Sequence, residues 1–198
     1  MYSIVTADPI VSPATAQQLI DWARLDSDDP KIESSLLIAT DLVISFLSLE
    51  ILPRTYTLTY EDWPKVGTQS GSQLSRKSYC NKFKIDLPYA NLITIISVKA
   101  NGVALDSNSY RVITGKNTQL RFDEIGYDEV DNSALEIVYS AGYGAETANV
   151  PASIINAVVM VAGYVHSHSG GCDMAQAVNM SGASQLLRPY AVMAGMVF

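Results

Sequence analysis

Two histidines stand close together near residue 170, and a cysteine and an aspartate follow them. One residue separates His166 from His168, and Cys172 and Asp173 come after a Gly170-Gly171 pair. Imidazole, thiolate and carboxylate are groups that bind transition metals. Residues two apart at a helix end point in different directions, however, and two glycines do not hold a ligand set rigid. We therefore expect no metal site and no cofactor here.

The chain has only two histidines, and this argues against nucleophilic catalysis. A Ser-His-Asp triad would have to use His166 or His168, and the chain has no Gly-x-Ser-x-Gly nucleophile elbow. Residues 141–144, Ala-Gly-Tyr-Gly, follow a predicted strand as a phosphate-binding loop would. They lack the lysine of a Walker loop and the third glycine of a dinucleotide-binding fingerprint. We favour a tight turn between a strand and a helix, and we assign no catalytic residues and no enzymatic activity.

Two clusters of charged residues have the composition of ion-binding or polyanion-binding sites. The acidic cluster lacks the regular oxygen ligands and the terminal glutamate of an EF-hand calcium loop, so we expect a solvated loop. The basic cluster is interleaved with aromatic residues, as nucleic-acid surfaces are, although most such patches are solvated loops beside a strand. The members are Asp123, Glu124, Asp128, Glu129 and Asp131 in the acidic cluster, and Arg76, Lys77, Tyr79, Lys82 and Phe83 in the basic one.

The composition is that of a folded, acidic protein. Of 198 residues, 48% are hydrophobic and 17% are charged, so the chain can bury the core of one domain, with or without a long appendage. The formal net charge of −7 opposes tight nonspecific binding to the phosphate backbone of DNA. Cys80 and Cys172 are the only cysteines, which excludes a disulfide scaffold and suits reduced thiols in a cytosol.

Neither secretion nor membrane insertion is predicted. Residues 1–11 contain Asp8 and lack both a basic stretch and a long apolar one, so we expect no secretory signal peptide. The longest apolar stretch, residues 154–165, is interrupted by Asn156 and is shorter than the roughly 20 residues that cross a bilayer. We expect a protein that stays where it is made and does not enter a membrane.

Apolar residues recur with the helical period in three segments. Ser12 followed by Pro13 is typical of a helix start, and we predict a first helix over residues 13–24. A second helix is predicted over residues 29–49. Its apolar surface is wider than one neighbouring element would cover, so it is either sandwiched or meets another subunit. The third predicted helix, residues 151–167, is apolar nearly all round.

Between residues 54 and 140 the period changes to two, which indicates strands. Tyr56, Leu58 and Tyr60 alternate with threonines, and Asn101-Gly102 signals a type I′ hairpin turn because both residues tolerate a positive φ. Residues 65–78, rich in Gly, Ser and Gln, are predicted to be a loop between strands. The predicted strands lie near residues 55–60, 83–87, 92–100, 103–105, 110–113, 120–122 and 134–140.

The predicted fold class is α+β: mainly a helical bundle of three long helices, with a small antiparallel sheet inserted over residues 54–140. Residues 1–168 are expected to form the domain. Residues 169–198 are expected to form a flexible C-terminal arm, since small residues and Met dominate there without a steady period. A domain of this size has difficulty covering a helix that is apolar nearly all round. We therefore expect the third helix to contact a second copy of the chain, with Ile154, Val158, Met160, Val161 and Val165 as candidate interface residues.

Taken in order, several short motifs resemble the head-to-tail connector, or adaptor, proteins of long-tailed bacteriophages and prophages. The resemblance covers residues 11–190 approximately, and it depends on the order and spacing of motifs that are each common alone. The chain departs from the family pattern at Ala191, where a basic residue is usual. The motifs are Ser12-Pro13, Leu87-Pro88, Tyr139-Ser140-Ala141-Gly142-Tyr143-Gly144, Val150-Pro151 and Leu186-Leu187-Arg188-Pro189-Tyr190.

The resemblance implies a structural virion protein, assembled in the host cytoplasm, that forms a ring of about twelve identical subunits. The ring would join the portal protein to the stopper or tail-completion protein and line the channel through which double-stranded DNA passes. An acidic chain suits such a channel because a basic lining would bind the DNA tightly. The candidate portal-binding residues are those of the C-terminal motif: Leu186, Leu187, Arg188, Pro189 and Tyr190.

Two other functions stay open. A stopper or tail-completion ring protein would share most of these features with a connector. A small metal-dependent enzyme is the remote alternative, and it would need His166 and His168 to bind one metal ion together.

Overall fold

The computed structural model describes residues 2–6, 8–61, 83–89, 91–115, 118–122, 134–144, 146–168, 173 and 176–191. The chain divides into two units. The sheet unit consists of Met1–Ala7 and Thr55–Ser140, and the helical unit consists of Asp8–Arg54 and Ala141–Phe198. Each unit is therefore built from two separate stretches of the chain.

The described part of the helical unit contains five α-helices arranged around the third. They are α1 (Ala16–Ala23), α2 (Lys31–Leu47), α3 (Ala152–Ser167), α4 (Ala177–Met180) and α5 (Ser184–Leu187). Helix α3 packs against each of the other four, most extensively against α2. A helix with neighbours on several sides has to be apolar on several sides, which explains the composition of α3.

Helix α1 begins three residues later than predicted, at a capping box. Thr15 Oγ1 accepts a hydrogen bond from the N–H of Gln18 (3.3 Å), and Gln18 Oε1 accepts one from the N–H of Thr15 (2.9 Å). Ser12 Oγ accepts instead from the N–H of Ala14 (3.2 Å), so that Ser12 and Pro13 form a turn ahead of the helix. The reciprocal pair satisfies two orphan N–H groups where a lone serine satisfies one, and this fixes the start at Ala16.

Helix α2 lies within the predicted span of residues 29–49. Asp29 Oδ1 accepts a hydrogen bond from the N–H of Lys31 (2.9 Å) at the start of the helix. Ser48 has a φ of 53° and ends the helix in the left-handed conformation. The helix therefore presents four full turns between two defined ends.

The sheet unit contains two β-sheets. The strands are β1 (Tyr2–Val5), β2 (Arg54–Tyr60), β3 (Phe83–Asp86), β4 (Leu92–Ala100), β5 (Val103–Ala104), β6 (Tyr110–Ile113), β7 (Gln119–Phe122) and β8 (Leu135–Ala141). A five-stranded sheet has the order β1-β2-β8-β4-β5, and a three-stranded sheet has the order β3-β7-β6. The pairs β1/β2, β4/β5, β3/β7 and β6/β7 are antiparallel.

The predicted hairpin at Asn101-Gly102 is confirmed. Asn101 has a φ of 48° and Gly102 a φ of 80°, and Ala100 pairs with Val103 across the two-residue turn. Positive φ at both central residues is the requirement of a type I′ turn, whose twist matches that of the flanking strands.

The five-stranded sheet has its own buried core, centred on β8. Every second residue of β8, beginning with Leu135, is fully buried, as expected for a strand with one face in the interior. The hydroxyl of Tyr139 donates a hydrogen bond to the carbonyl oxygen of Pro88 (2.7 Å), and its ring stacks on Tyr56 with 5.7 Å between centroids. The one polar atom of this buried side chain is therefore satisfied.

The prediction of a mainly helical bundle with three long helices is wrong. Helix α1 has only eight residues, and α2 and α3 are the long helices among the described residues. The same residues hold two sheets rather than one small inserted sheet. The physical reason is that the strands bury enough large side chains to form a core of their own: Tyr56, Leu58, Ile85, Leu120, Phe122, Leu135, Ile137 and Tyr139.

The prediction of a flexible C-terminal arm is also wrong for residues 176–191. Helices α4 and α5 pack on α3, and Ala177, Ala183 and Leu187 have no accessible surface. Two helices of about one turn are too short to show a helical period in the sequence. The small side chains that suggested flexibility instead allow the backbone to approach α3 closely.

None of the described helices is both long and apolar enough to cross a bilayer. Three predictions lie outside the described residues: the loop at residues 65–78, the acidic cluster at residues 123–131, and the basic and aromatic cluster apart from the backbone of Phe83.

Candidate assembly surfaces

The five candidate interface residues on α3 lie mostly in the interior of the chain. Ile154, Val158 and Val161 have no accessible surface. Val165 is 3% exposed, and Met160 is half-buried. The expectation that one subunit cannot cover this helix is wrong, because α1, α2, α4 and α5 together do so. A surface for a second copy has to be sought on the elements that surround α3.

Trp22 covers the middle of α3 and still presents a large surface to solvent. A Cβ atom added to Gly163 would lie 2.3 Å from Cζ3 of Trp22, so the indole ring rests directly on the glycine. The tryptophan is nevertheless 55% exposed. Partly exposed tryptophans are typical anchors of protein interfaces. The sequence does not single out Trp22, because a lone aromatic residue on the apolar face of a helix is more often a core residue.

The outer side of α2 carries an apolar stripe, which we call the α2 stripe: Leu37, Ile38, Leu42 and Phe46. The last three follow one another at intervals of four residues and so line up along the helix. Leu37 and Ile38 are 44% and 40% exposed, Phe46 is 36% exposed and Leu42 is half-buried. The wide apolar surface predicted for this helix is present, and its outer part remains open to solvent.

The C-terminal motif is divided between one anchor and several exposed residues. Leu187 is fully buried where α5 packs on α3. Leu186 is 37% exposed, Arg188 and Pro189 are exposed, and Tyr190 is half-buried. The N–H of Tyr190 donates to the carbonyl oxygen of Leu187 (2.9 Å), which closes a turn over the motif. The buried Leu187 therefore holds its exposed neighbours Leu186, Arg188 and Pro189 in place.

The glycine-rich turn after β8 packs against the segment that follows α2. The N–H of Tyr143 donates to the carbonyl oxygen of Ile51 (3.1 Å), and a Cβ at Gly142 would lie 2.8 Å from the backbone of Leu52. Burial and, to a smaller degree, the neighbouring Tyr190 raise the pKa of Tyr143. These contacts agree with the prediction of a structural turn between a strand and a helix.

The two histidines make separate contacts. His166 Nε2 lies 2.9 Å from Asp29 Oδ2, whereas the ring of His168 stacks on Tyr164 with 4.2 Å between centroids. The N–H of Lys31 and then the His166 imidazole hold the pKa of Asp29 below its usual value. Within the described residues no group of three or more His, Cys, Asp and Glu side chains is placed to hold a metal ion. Cys172 lies outside those residues.

No protein-family model matches this chain, and no curated protein matches it. Solved structures, in contrast, share its fold over nearly the whole length. A chain of the neck of an empty gene transfer agent (GTA) particle, computed with C6 symmetry, aligns with a TM-score of 0.68 at 16% identity and covers 99% of this chain and 98% of that one. A chain of the neck of a native GTA particle, computed with C12 symmetry, aligns with a TM-score of 0.64 at 17% identity. It covers 100% of this chain and 98% of that one.

A chain of the virion of a native GTA particle gives a TM-score of 0.67 at 16% identity and covers 98% of both chains. This protein has the fold of a GTA neck chain. At such low identity the comparison establishes the fold alone. Because it covers almost all of both chains, the shared fold includes the sheet unit as well as the helical unit.

Proposed function

We propose that this protein is a structural virion protein of the neck of a tailed phage or phage-like particle. The observation that carries the proposal is the shared fold with two GTA neck chains and one GTA virion chain over 98–100% of the sequence. The motif order that resembles head-to-tail connectors supports it from the sequence alone.

Within the neck, the function that we favour is that of the connector, or adaptor. The chain would form a ring of about twelve copies between the portal and the stopper or tail. The C6 and C12 symmetry of the related necks is what such a ring would have. A head-to-tail contact needs two different surfaces on each copy. The α2 stripe and the exposed face of Trp22 are apolar surfaces of the kind that such contacts bury.

The exposed part of the C-terminal motif is the portal-binding surface in this proposal. Leu186 and Pro189 supply apolar contacts, and Arg188 supplies a cation that fits a carboxylate on the partner. Because Leu187 fixes α5 on α3, this surface is ordered before binding, which lowers the entropic cost of docking. The net charge of −7 leaves the chain suited to a channel through which DNA slides without being held.

The experiment that tests the neck function is removal and restoration of the protein. Particles produced without it should accumulate as DNA-filled heads and separate tails, and added purified protein should restore joined particles. A variant with Leu186→Ala and Arg188→Glu should fold normally and fail to restore joining. Joined, functional particles formed without the protein would contradict the proposal. Restoration that requires preformed portal-adaptor complexes would identify the protein as a stopper or tail-completion protein instead.

A further inference from the structure

Strand β4 of the five-stranded sheet is covered by β5 at one end only. Strand β5 has two residues and pairs with Lys99 and Ala100, at the end of β4. The N–H of Leu105 also donates to the carbonyl oxygen of Val98 (2.8 Å). Among the described residues, no strand pairs with this side of β4 over residues 92–97. We call this side of residues 92–97 the open edge.

The hairpin fixes which backbone groups point out of the open edge. Val98 is directly opposite Leu105 and bonds to it, so the backbone polar groups of Val98 point toward β5. Every second residue of a strand directs its N–H and C=O to the same side. The N–H and C=O of Leu92, Thr94 and Ile96 therefore point out of the open edge, and those of the residues between them point toward β8.

The side chains of the open edge are apolar and carry no charge. Ile93 is 46% exposed and Ile96 is 55% exposed, and these two residues are on opposite faces of the strand. Residues 92–97 read Leu-Ile-Thr-Ile-Ile-Ser, without a charged residue or a proline. Natural sheets protect their edges with such residues, because an open apolar edge pairs with other chains. The open edge therefore has the composition of a strand that is paired in use.

Among the other outer strands of the two sheets, β1 is the one that matches the open edge. Strand β3 carries Lys84 and Asp86, and β6 carries Arg111, so both have charges of the kind that discourage pairing. Strand β1 reads Tyr-Ser-Ile-Val, without a charge, and lies at the end of its sheet away from β5. Tyr2 and Val5, on opposite faces of β1, are 58% and 63% exposed.

We propose that β1 of one copy pairs with the open edge of the next copy, so that the five-stranded sheet continues from copy to copy. The inference rests on the proposed function, because it assumes that the copies form a ring. Strands β2 and β8 lie between the two edges, so one chain cannot pair its own edges with each other. The edges are different surfaces, as the two sides of a head-to-tail contact must be.

Pairing of this kind covers both backbone and side chains. Each edge exposes apolar side chains on both faces, so the paired strands bury apolar surface above and below the sheet. Main-chain hydrogen bonds supply affinity in such strand additions, and the alternating side chains supply specificity. A strand from a different protein is the alternative occupant, but it would leave the edge of β1 uncovered. A contact between copies covers both edges at once.

Hydrogen exchange of the wild-type protein tests the pairing directly, in the isolated chain and in rings formed on the particle's purified portal. The outward-pointing amides of Leu92, Thr94 and Ile96 should exchange rapidly in the isolated chain. In the ring, at least two of them should exchange about tenfold more slowly or less, because they then donate to the neighbouring copy. Residues 2–5 should be protected in the same rings. Mass spectrometry with residue-level fragmentation measures both changes.

A proline at residue 94 removes one donor from the open edge. Strand β1 has four residues, and any four consecutive residues within 92–97 include Thr94. Thr94→Pro leaves the groups that point toward β8 in place, and edge strands tolerate proline. It should weaken ring formation on the portal, measured by sedimentation velocity, by at least about tenfold. The matched control is Thr94→Val, which also loses the threonine hydroxyl but keeps the N–H, and it should assemble like the wild-type protein.

Two lysine variants test the same contact without changing the backbone. Ile96→Lys places a charge on the open edge, and Val5→Lys places one on β1. Both side chains are more than half exposed, so both variants should fold, and each should weaken ring formation by at least about tenfold. Val112→Lys, at a 39% exposed valine of β6, is the matched control and should assemble. Circular dichroism and the melting temperature establish that each variant is folded before its assembly is measured.

Three results would overturn the proposal. Normal ring formation by folded Thr94→Pro or Ile96→Lys would remove the contact between edges and leave the neck function standing. Slower exchange of residues 92–97 without slower exchange of residues 2–5 would identify a strand of another protein as the occupant. A wild-type protein that forms no ring, either alone or on the portal, would overturn the proposed function and this contact with it.

Discussion

Among the described glycines that were compared, Gly163 is the one at which an added Cβ atom would lie closest to a neighbouring atom. Replacing it with alanine should gain about 1 kcal/mol of helix propensity and lose about 1–3 kcal/mol by overpacking, because the new Cβ would lie 2.3 Å from the Trp22 ring. We expect Gly163→Ala to lower the free energy of unfolding by about 1 kcal/mol. In a Trp22→Ala background, the same change should raise the free energy of unfolding. The ring that the new Cβ would overpack is then absent, and only the gain in helix propensity remains. Urea denaturation of the four proteins measures this reversal of sign, and a stabilising Gly163→Ala in the wild-type protein would contradict it.

Asp29 makes the stability of the helical unit depend on pH. Its pKa is lowered in the folded protein, first by the Lys31 N–H and then by His166, so the stabilisation is complete above the unfolded pKa of about 3.9 and is lost as the pH falls through the folded value. Asp29→Asn keeps a side-chain oxygen for the Lys31 N–H but removes the charge. We expect this variant to melt at a lower temperature than the wild-type protein at pH 7. The difference should shrink as the pH falls below about 4 and should vanish at a pH low enough to protonate Asp29 in the folded protein as well.

Glu146→Gln is the control for this pH dependence, because Glu146 is exposed and makes no side-chain bond at the start of the short helix that follows it. It should leave the melting temperature unchanged at both pH values. A difference between Asp29→Asn and the wild-type protein that does not shrink at all as the pH is lowered from 7 to 2 would show that the charge has no part in the effect.

At the scale of elements, α5 is fixed to α3 by a single large side chain. Leu187→Ala should lower the free energy of unfolding by about 2–4 kcal/mol, because the leucine is fully buried. Leu186→Ala, one residue earlier and 37% exposed, should lower it by less than about 1 kcal/mol. Chemical denaturation of this adjacent pair tests whether the C-terminal segment is part of the fold. Equal effects of the two substitutions would mean that α5 is not packed as described.

The segment that follows α2 is held by a buried ion pair. Glu50 is 1% exposed, and its Oε2 lies 3.4 Å from Nη1 of Arg54, whose Nη2 donates to the carbonyl oxygen of Asp8 (2.9 Å). Glu50→Ala should destabilise the protein by about 3–5 kcal/mol, because it leaves a largely buried cation without this carboxylate. Thermal and urea unfolding would measure the loss. A change below about 1 kcal/mol, the scale of an exposed ion pair, would contradict the burial of this pair.

The elements differ in how far the sequence predicts them. Strands β2 to β8 and the hairpin at Asn101-Gly102 follow from local periodicity and turn chemistry, which act over a few residues, whereas β1 (Tyr2–Val5) is not among the predicted strands. The start of α1 does not, since Ser12 and Thr15 are both good caps and only the reciprocal bond with Gln18 decides between them. Helices α4 and α5 escape prediction because each is about one turn long and exists through its contact with α3.

At the scale of the whole molecule, the apolar character of α3 has a different cause from the one predicted. The sequence indicates a helix that needs cover on most sides, and this is correct. It does not indicate whether the cover comes from the same chain or from a second copy, because burial within a chain and burial between chains select the same side chains. The C-terminal segment, which shows no helical period in its sequence, supplies part of the cover. In the proposed function, the surface for a second copy therefore lies outside α3, on α2 and Trp22.

The α2 stripe gives a prediction about assembly that is independent of stability. Ile38→Lys with Phe46→Lys should leave the free energy of unfolding within about 1 kcal/mol of the wild-type value, since both side chains are substantially exposed. The same variant should fail to form rings on the portal, because it places two charges in an apolar contact. Ser34→Lys, at another exposed position of α2, is the control and should assemble. Normal rings from the double variant would exclude the stripe from the subunit contact.

The most direct test of the neck function is a cryo-electron microscopy reconstruction of the particles assembled in cells that produce this protein. We predict a closed ring of copies coaxial with the portal, with α2 and Trp22 at the contact between neighbours and the segment around Leu186 and Arg188 against the portal. A reconstruction that places the chain in the capsid shell or along the tail tube, or that lacks it altogether, would contradict the account.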